Sequence, residues 1–255
     1  QSLAWKGNEN FKGQVQYRHF SSRFTSLYGA ALQQGSRVAN EQGLLLSASS
    51  SLFRHSEWLG YVDLFRFPHP TFVSVQPGAL GAEVSLQCRY TPNMKQGWLL
   101  RYRFKSRQRT VSGTQLMEYR SVHRMRVAYM LNHSHWETRL QADASVATRQ
   151  TGAVSCGWMA SVRTTWKPAP QFTCKAFAAC FFTDDHESAL YAYEPQLVHV
   201  AAFPVFAYHG VRGVAVMDWR VSARLTAGLR WGGTRYFDRS SISTGPDRIA
   251  SPWKN

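Results

Sequence analysis

Four groups of residues in this chain are of types that do chemistry. Asp184, Asp185, His186 and Glu187 form an acidic tetrad with an imidazole, the donors of a calcium or zinc site, but their spacing matches no ligand scheme for either ion. His133 and His135 in NHSH look like a metal pair, with no third ligand near them in sequence. Ser121 with His123, or His209, are side chains that a hydrolase assembled by geometry rather than by motif could recruit, and nothing in their spacing selects them. A phosphate-cradling glycine loop, a nucleophile elbow and a zincin helix are all missing from the sequence. No catalytic residue, metal site or cofactor is therefore expected. The fourth group consists of cations, and its chemistry is the binding of anions.

That group is clearest between Gly81 and Arg107, where GAEVSLQCRY is followed by the polar turn TPNMKQ and then by GWLLRYRFKSR. Ala82, Val84, Leu86, Cys88 and Tyr90 alternate with Glu83, Ser85, Gln87 and Arg89, which is the period of a strand and not of a helix. The second arm sets Trp98, Leu100, Tyr102 and Phe104 against Arg101, Arg103, Lys105 and Arg107. The pair predicts a hairpin with one oily and one charged face. Each arm has the length of about ten residues that a tilted strand needs to cross a bilayer. The charged face must see water and the aromatic face something greasy.

The same phase recurs along the chain. Strands are expected over 10–20, 43–54, 57–66, 80–90, 97–107, 119–131, 136–147, 152–166, 171–183, 207–220 and 223–235. Long connections (21–42, 67–79, 108–118 and 184–206) alternate with short turns, and 148–151 is the single short connection where a long one is due. Short turns on one side and long loops on the other are the habit of antiparallel membrane barrels. Trp58, Trp98, Trp136 and Trp166 fall at strand ends beside the short turns, where an aromatic girdle would lie. A short helix is expected near Leu27–Gln33, and Pro195 and Pro204 argue against a simple central strand in 184–206.

Composition is compatible with this. The chain has 255 residues, 44% hydrophobic and 18% charged, with 30 Lys and Arg against 15 Asp and Glu. No run of about eighteen apolar residues makes a transmembrane helix, and a mean hydropathy of −0.34 is no objection to membrane strands, half of whose residues face water. A net charge of +15 points to an anionic partner such as nucleic acid, lipid phosphate or an acidic solute, or to a barrel whose lumen and rims are simply basic. The four cysteines, Cys88, Cys156, Cys174 and Cys180, have neither redox nor metal spacing. By parity Arg18, Arg89, Arg101, Arg103, Lys105, Arg107, Arg124, Arg126, Arg139, Arg163, Arg220, Arg224 and Arg230 all face inward, as rings of cations do in anion pores. The alternative is that they pair with Glu83, Glu137, Asp143 and Asp218 and plug a narrow barrel. Those acids are too few, so full neutralisation would need further acids or a plug. The odd strand number and the terminal TGPDRIASPWKN, read as a loop, lead to the expectation of a fragment incomplete at both ends.

The order YRHFSSRF (17–24), RVANEQGLLL (37–46), EWLGYVDLFRFP (57–68), LYAYEP (190–195), HGVRG (209–213) and TGPDRI (244–249) resembles the C-terminal barrel of large Bacteroidota outer-membrane proteins that carry an N-terminal helix-hairpin-helix, ComEA-like domain. Asn40, Glu41 and Gly43, with Tyr191, Tyr193 and Glu194, carry the resemblance most clearly. It implies a β-barrel in the outer membrane and a link to DNA binding or uptake, which cannot be transferred to any residue here because the helix-hairpin-helix segment is not in this sequence.

The expectation is an all-β, antiparallel transmembrane barrel of the Gram-negative outer membrane, a single domain over 1–255, and not an enzyme. Its partners would be outer-membrane lipid, an anionic cargo such as DNA, and other envelope proteins. It would be either a channel or transport component with a basic lumen or a plugged barrel anchoring a larger envelope complex.

Overall fold

The computed structural model describes all residues except 1, 9, 25–31, 36–37, 52, 198–199, 201–202, 242–250 and 255. Among the described residues there is no helix, and hence none long and apolar enough to cross a membrane, which says nothing about strands. The helix expected over Leu27–Gln33 and the motif at 244–249 lie wholly or mostly outside the described residues.

Every expected strand is present. In chain order they are β1 (Ser2–Asn8), β2 (Phe11–Phe20), β3 (Glu41–Ser50), β4 (Ser56–Phe67), β5 (Ala79–Asn93), β6 (Gln96–Thr110), β7 (Met117–Asn132) and β8 (Trp136–Arg149). They continue with β9 (Val154–Ala169), β10 (Phe172–Thr183), β11 (Leu190–Tyr191), β12 (Val205–Phe206), β13 (His209–Arg220), β14 (Thr226–Tyr236) and β15 (Trp253–Lys254). Thirteen form one sheet in the order β1 to β10, β13, β14, β15, and β11 pairs with β12 in a sheet of two. Sequential neighbours pair with antiparallel register, as in Leu46 opposite Val62 and Ala176 opposite Ala215. Among the described residues no pairing joins β1 to β15, so the sheet has two open edges.

Two readings of the sequence are corrected here. Ser2–Asn8 is a strand, paired from Ser2 opposite Gln16 to Asn8 opposite Phe11, although SLAWKGN lacks clear alternation. Within the terminal stretch read as a loop, Trp253 returns to sit opposite Arg235, and the Arg235 guanidinium lies 5.3 Å from the Trp253 ring centre. In both places backbone pairing to a neighbouring strand makes the strand, and periodicity does not announce it.

By backbone proximity the chain groups into two compact units. One comprises Gln1–Tyr90, Arg101–Arg124 and Ala147–Val154, the other Thr91–Leu100, Met125–Val146 and Ser155–Asn255. In the first, Phe65, Phe67 and Ala79 are buried with Met117 packed on them, and a Cβ on Gly81 would overlap the Phe65 ring. In the second, Met159, Phe177, Ala179, Phe181, Val214 and Val216 of the sheet bury against Leu190, Ala192 and Phe206 of the segment that joins β10 to β13.

The opposite face of the strands is apolar and exposed. Leu44 and Leu46, Val62 and Leu64, Trp98 and Leu100, Leu140, Trp158 and Val162, Met217 and Trp219, Leu229 and Trp231 all lie open on it. Aromatic side chains near the short turns pair with one another, Trp98 with Tyr129 at 4.4 Å and Trp136 with Trp166 at 5.4 Å between ring centres. Toward the long-loop end of β2, β3 and β4 the same face turns polar: Arg66 Nε donates to Gln42 Oε1 at 2.6 Å and Gln42 Nε2 meets His19 Nδ1 at 2.8 Å.

Candidate functional site

The charged face begins in the first unit with Arg18 on β2. Strand parity directs it to the face shared with Glu41 of β3 and Asp63 of β4, and all three are almost fully buried. Its Nε donates to Glu41 Oε1 at 2.7 Å, and its two terminal nitrogens donate to the Asp63 carboxylate at 2.6 and 3.0 Å. The loop between β2 and β3 closes over the group: the backbone N–H of Gln34 and of Gly35 donate to Glu41 Oε2 at 2.8 and 2.9 Å, and Gln34 Nε2 to Asp63 Oδ2 at 2.7 Å. Gly43 is required there, because a Cβ would overlap the guanidinium.

The candidate cations of β6 continue this network. Lys105 donates to Gln34 Oε1, and lies 3.4 Å from the buried Glu83 carboxylate. Arg103 holds the same carboxylate at 2.6 Å, with the Tyr61 hydroxyl as a further donor. Arg101 donates twice to Gln87 Oε1. Arg107 has its guanidinium 4.3 Å from the Phe67 ring centre, and its buried Nε meets no acceptor. Arg124 is on the same face of β7, partly buried. Arg89 lies farther toward the turn, 3.5 Å from Glu57 in an exposed pair.

In the second unit the segment 184–206 supplies several of the partners. Glu194, buried, accepts from Arg212 at 2.6 and 3.0 Å, from Arg230 at 2.7 Å and from Gln196 at 2.8 Å. Arg126 pairs with Asp143 and donates to the Tyr191 carbonyl at 2.7 Å. Arg163 lies 5.1 Å from the Tyr193 ring centre, and Arg139 donates to Gln141 Oε1 at 3.1 Å. Lys175 pairs with Asp218 at 2.8 Å. Arg220, at the end of β13, is exposed.

Arg224 requires a correction. It lies in the turn before β14, which begins at Thr226, and its backbone N–H donates to Ser222 Oγ at 3.3 Å. Strand parity therefore does not set the direction of its side chain. The charged face itself is not uniformly basic either. On β10 it carries Phe177 and Phe181, which bury against the inserted segment.

The other candidates make local contacts where the structure describes them. Asp184 accepts from the Cys156 N–H at 2.7 Å, and Asp185 from Ser155 Oγ and the Glu187 N–H, so these carboxylates tie the loop to β9. His133 and His135 lie in the exposed β7–β8 turn, His135 Nδ1 meeting the Lys167 carbonyl at 3.0 Å. Ser121 donates to Ser106 Oγ while His123 meets the Tyr102 hydroxyl at 2.8 Å, and His209 stacks on Phe182. Among the described residues no group of three or more His, Cys, Asp or Glu is placed to hold a metal, and the four cysteines are free. Beyond the strands, Asp238 is held below the usual carboxylate range: burial pushes it up, but the hydrogen bond and charge of Arg239 outweigh that.

Parity could not find the carboxylates that matter most. Glu41, Asp63 and Glu194 are drawn in from a strand end, a strand otherwise apolar at that point, and a loop. No protein-family model matches the chain, and no curated protein matches it either.

Proposed function

We propose that this chain is an outer-membrane β-barrel whose charged face lines an interior occupied by its own loop segments, and that it serves as the membrane anchor or docking module of a larger envelope assembly. The membrane part of the reading is supported by the open apolar face, since soluble monomers rarely expose contiguous apolar patches beyond a few hundred Å², and by the polar rim at its long-loop end. The observation that carries the anchor reading is the grip of Arg212 and Arg230 on Glu194 of the inserted segment. A segment fixed by two ion pairs to its buried Glu194 and by Phe206 in the core is a filling, not a gate swinging in solvent.

A second reading, passage of anionic material with DNA among the candidates, is favoured by Arg107 and Arg163, which form no close ion pair with a carboxylate among the described residues. The resemblance to the helix-hairpin-helix outer-membrane proteins fits either. Reconstitution of the full-length protein in planar bilayers separates them. Electrical silence is the expected outcome. A steady anion-selective conductance that drops when Arg101, Arg103 and Arg126 are neutralised would overturn the anchor reading in favour of passage.

A further inference from the structure

Near the short-turn end of β8, β9 and β10, in the second unit, the charged face holds a pocket of about 290 Å³. Arg139 comes from β8, Arg163 and Thr165 from β9, Lys175 from β10, and Tyr193 from the inserted segment. Lys175 is directly opposite Thr165 in the ladder, and Arg163 is one residue pair further along the same face, opposite Phe177. Adjacent strands lie about 4.8 Å apart, so the cations of neighbouring strands converge on one small volume.

Asp218 is taken by Lys175 at 2.8 Å, and Glu137, which itself lines the pocket, is taken by Lys167 at 3.0 Å. Arg163 meets no carboxylate among the described residues, and its one partner is the Tyr193 ring at 5.1 Å. A guanidinium stacked on a ring gives its π face to the ring and keeps its N–H donors in the plane of the group. Those donors form the fork that fits two oxygens of a phosphate or carboxylate. The stacking partner is held in place from behind, because Tyr193 immediately precedes the Glu194 that Arg212 and Arg230 clamp.

We propose that this pocket binds a compact oxyanion, a single phosphate group, with the Arg163 fork as the principal contact and Arg139, Lys175 and the Thr165 hydroxyl around it. The volume is below that of most drug-sized sites, which suits a phosphate with a small substituent and excludes a folded polymer. The site needs only the local geometry of β8 to β10 and the inserted segment, so it stands whether or not the barrel conducts.

The test is calorimetric titration of the full chain in neutral detergent with inorganic phosphate at low ionic strength. Saturable binding is expected, weakened by at least about tenfold in Arg163→Gln, since a charge-assisted bidentate contact is lost. Arg163→Lys, which keeps the charge and loses the fork, should fall between the two. Arg54→Gln, in the exposed β3–β4 turn, should bind as the parent does. Circular dichroism of each variant checks that the sheet is intact, and should Arg163→Gln fail to fold, Arg163→Lys carries the decision. Competition by glycerol 3-phosphate stronger than by a short-chain phosphatidic acid supports a soluble phosphate, and the reverse order overturns that source. Absence of saturable binding in the parent protein, or equal affinity in Arg163→Gln and the parent, overturns the site. Neither result moves the conductance outcome, so failure of the pocket and failure of the anchor reading remain distinguishable.

Discussion

A single guanidinium decides the chemistry of one part of the charged face. Arg18 reaches two carboxylates on two different strands, and both are sealed from water by the sheet and by the Gln34–Gly35 backbone. Burying such a group is costly unless each charge finds its partner, and removing one member leaves the other charges stranded. Arg18→Ala should destabilise the refolded protein by roughly 3–5 kcal/mol, read from urea unfolding in detergent. Lysine at that position is no substitute, because a point charge cannot bridge two carboxylates in the geometry of the planar fork. The variant should recover only a small part of the loss; full recovery would show that charge alone, and not the fork, holds the cluster.

Among the elements, the connection from β10 to β13 does most to set the character of the charged face. It contributes Leu190, Ala192 and Phe206 to the core, Glu194 to the arginines of β13 and β14, and Tyr193 to Arg163. Its first turn is tied to β9 by Asp184 and by Ser188, whose hydroxyl donates to the Cys156 carbonyl at 2.9 Å. Proline at 195 and 204 keeps it out of the main sheet, and so it lies on the face instead of extending the ladder. Glu194→Gln removes the charge opposite Arg212 and Arg230 while keeping the shape. Limited proteolysis should then cut within 184–206 markedly faster than in the parent, with the flanking strands still protected. Unchanged cleavage would mean that the apolar contacts alone hold the segment.

At the scale of the molecule, the strands carry one apolar, exposed face and one charged face. The open apolar side is lined by aliphatic and aromatic residues from strand after strand, and no charge cluster comparable to that of Arg18 or Glu194 lies on it among the described residues. Under the membrane reading an arginine introduced mid-strand on that side, Val162→Arg, should cost about 2–4 kcal/mol in refolding into lipid vesicles. If the face were open to water the same change would stay within about 0.5 kcal/mol, as exposed substitutions do. Refolding equilibria of parent and variant in vesicles therefore test the assignment of the face directly.

How much of this was legible depended on the range of the interaction. Period-two alternation is local, enforced by the pleat of each strand, so the eleven strands, the oily face and the basic face of β6 could be read from residues such as Trp98 to Arg107. The alternation of short and long connections was equally local. What could not be read was any feature made by residues far apart in sequence. Asp63 looked like an isolated acid in an apolar strand until β2 and β3 placed Arg18 and Glu41 beside it. Glu194 was a loop residue until the segment folded back onto β13 and β14. Arg224 was counted with a strand because the turn that claims it is set by a Ser222 contact and not by hydrophobic phase. The sequence by itself determined which face of each strand is oily and which is charged, because side-chain direction follows from backbone geometry. Only the tertiary structure decided which of those charges are paired with carboxylates, because ion pairing depends on register between strands and on where the long loops come to rest.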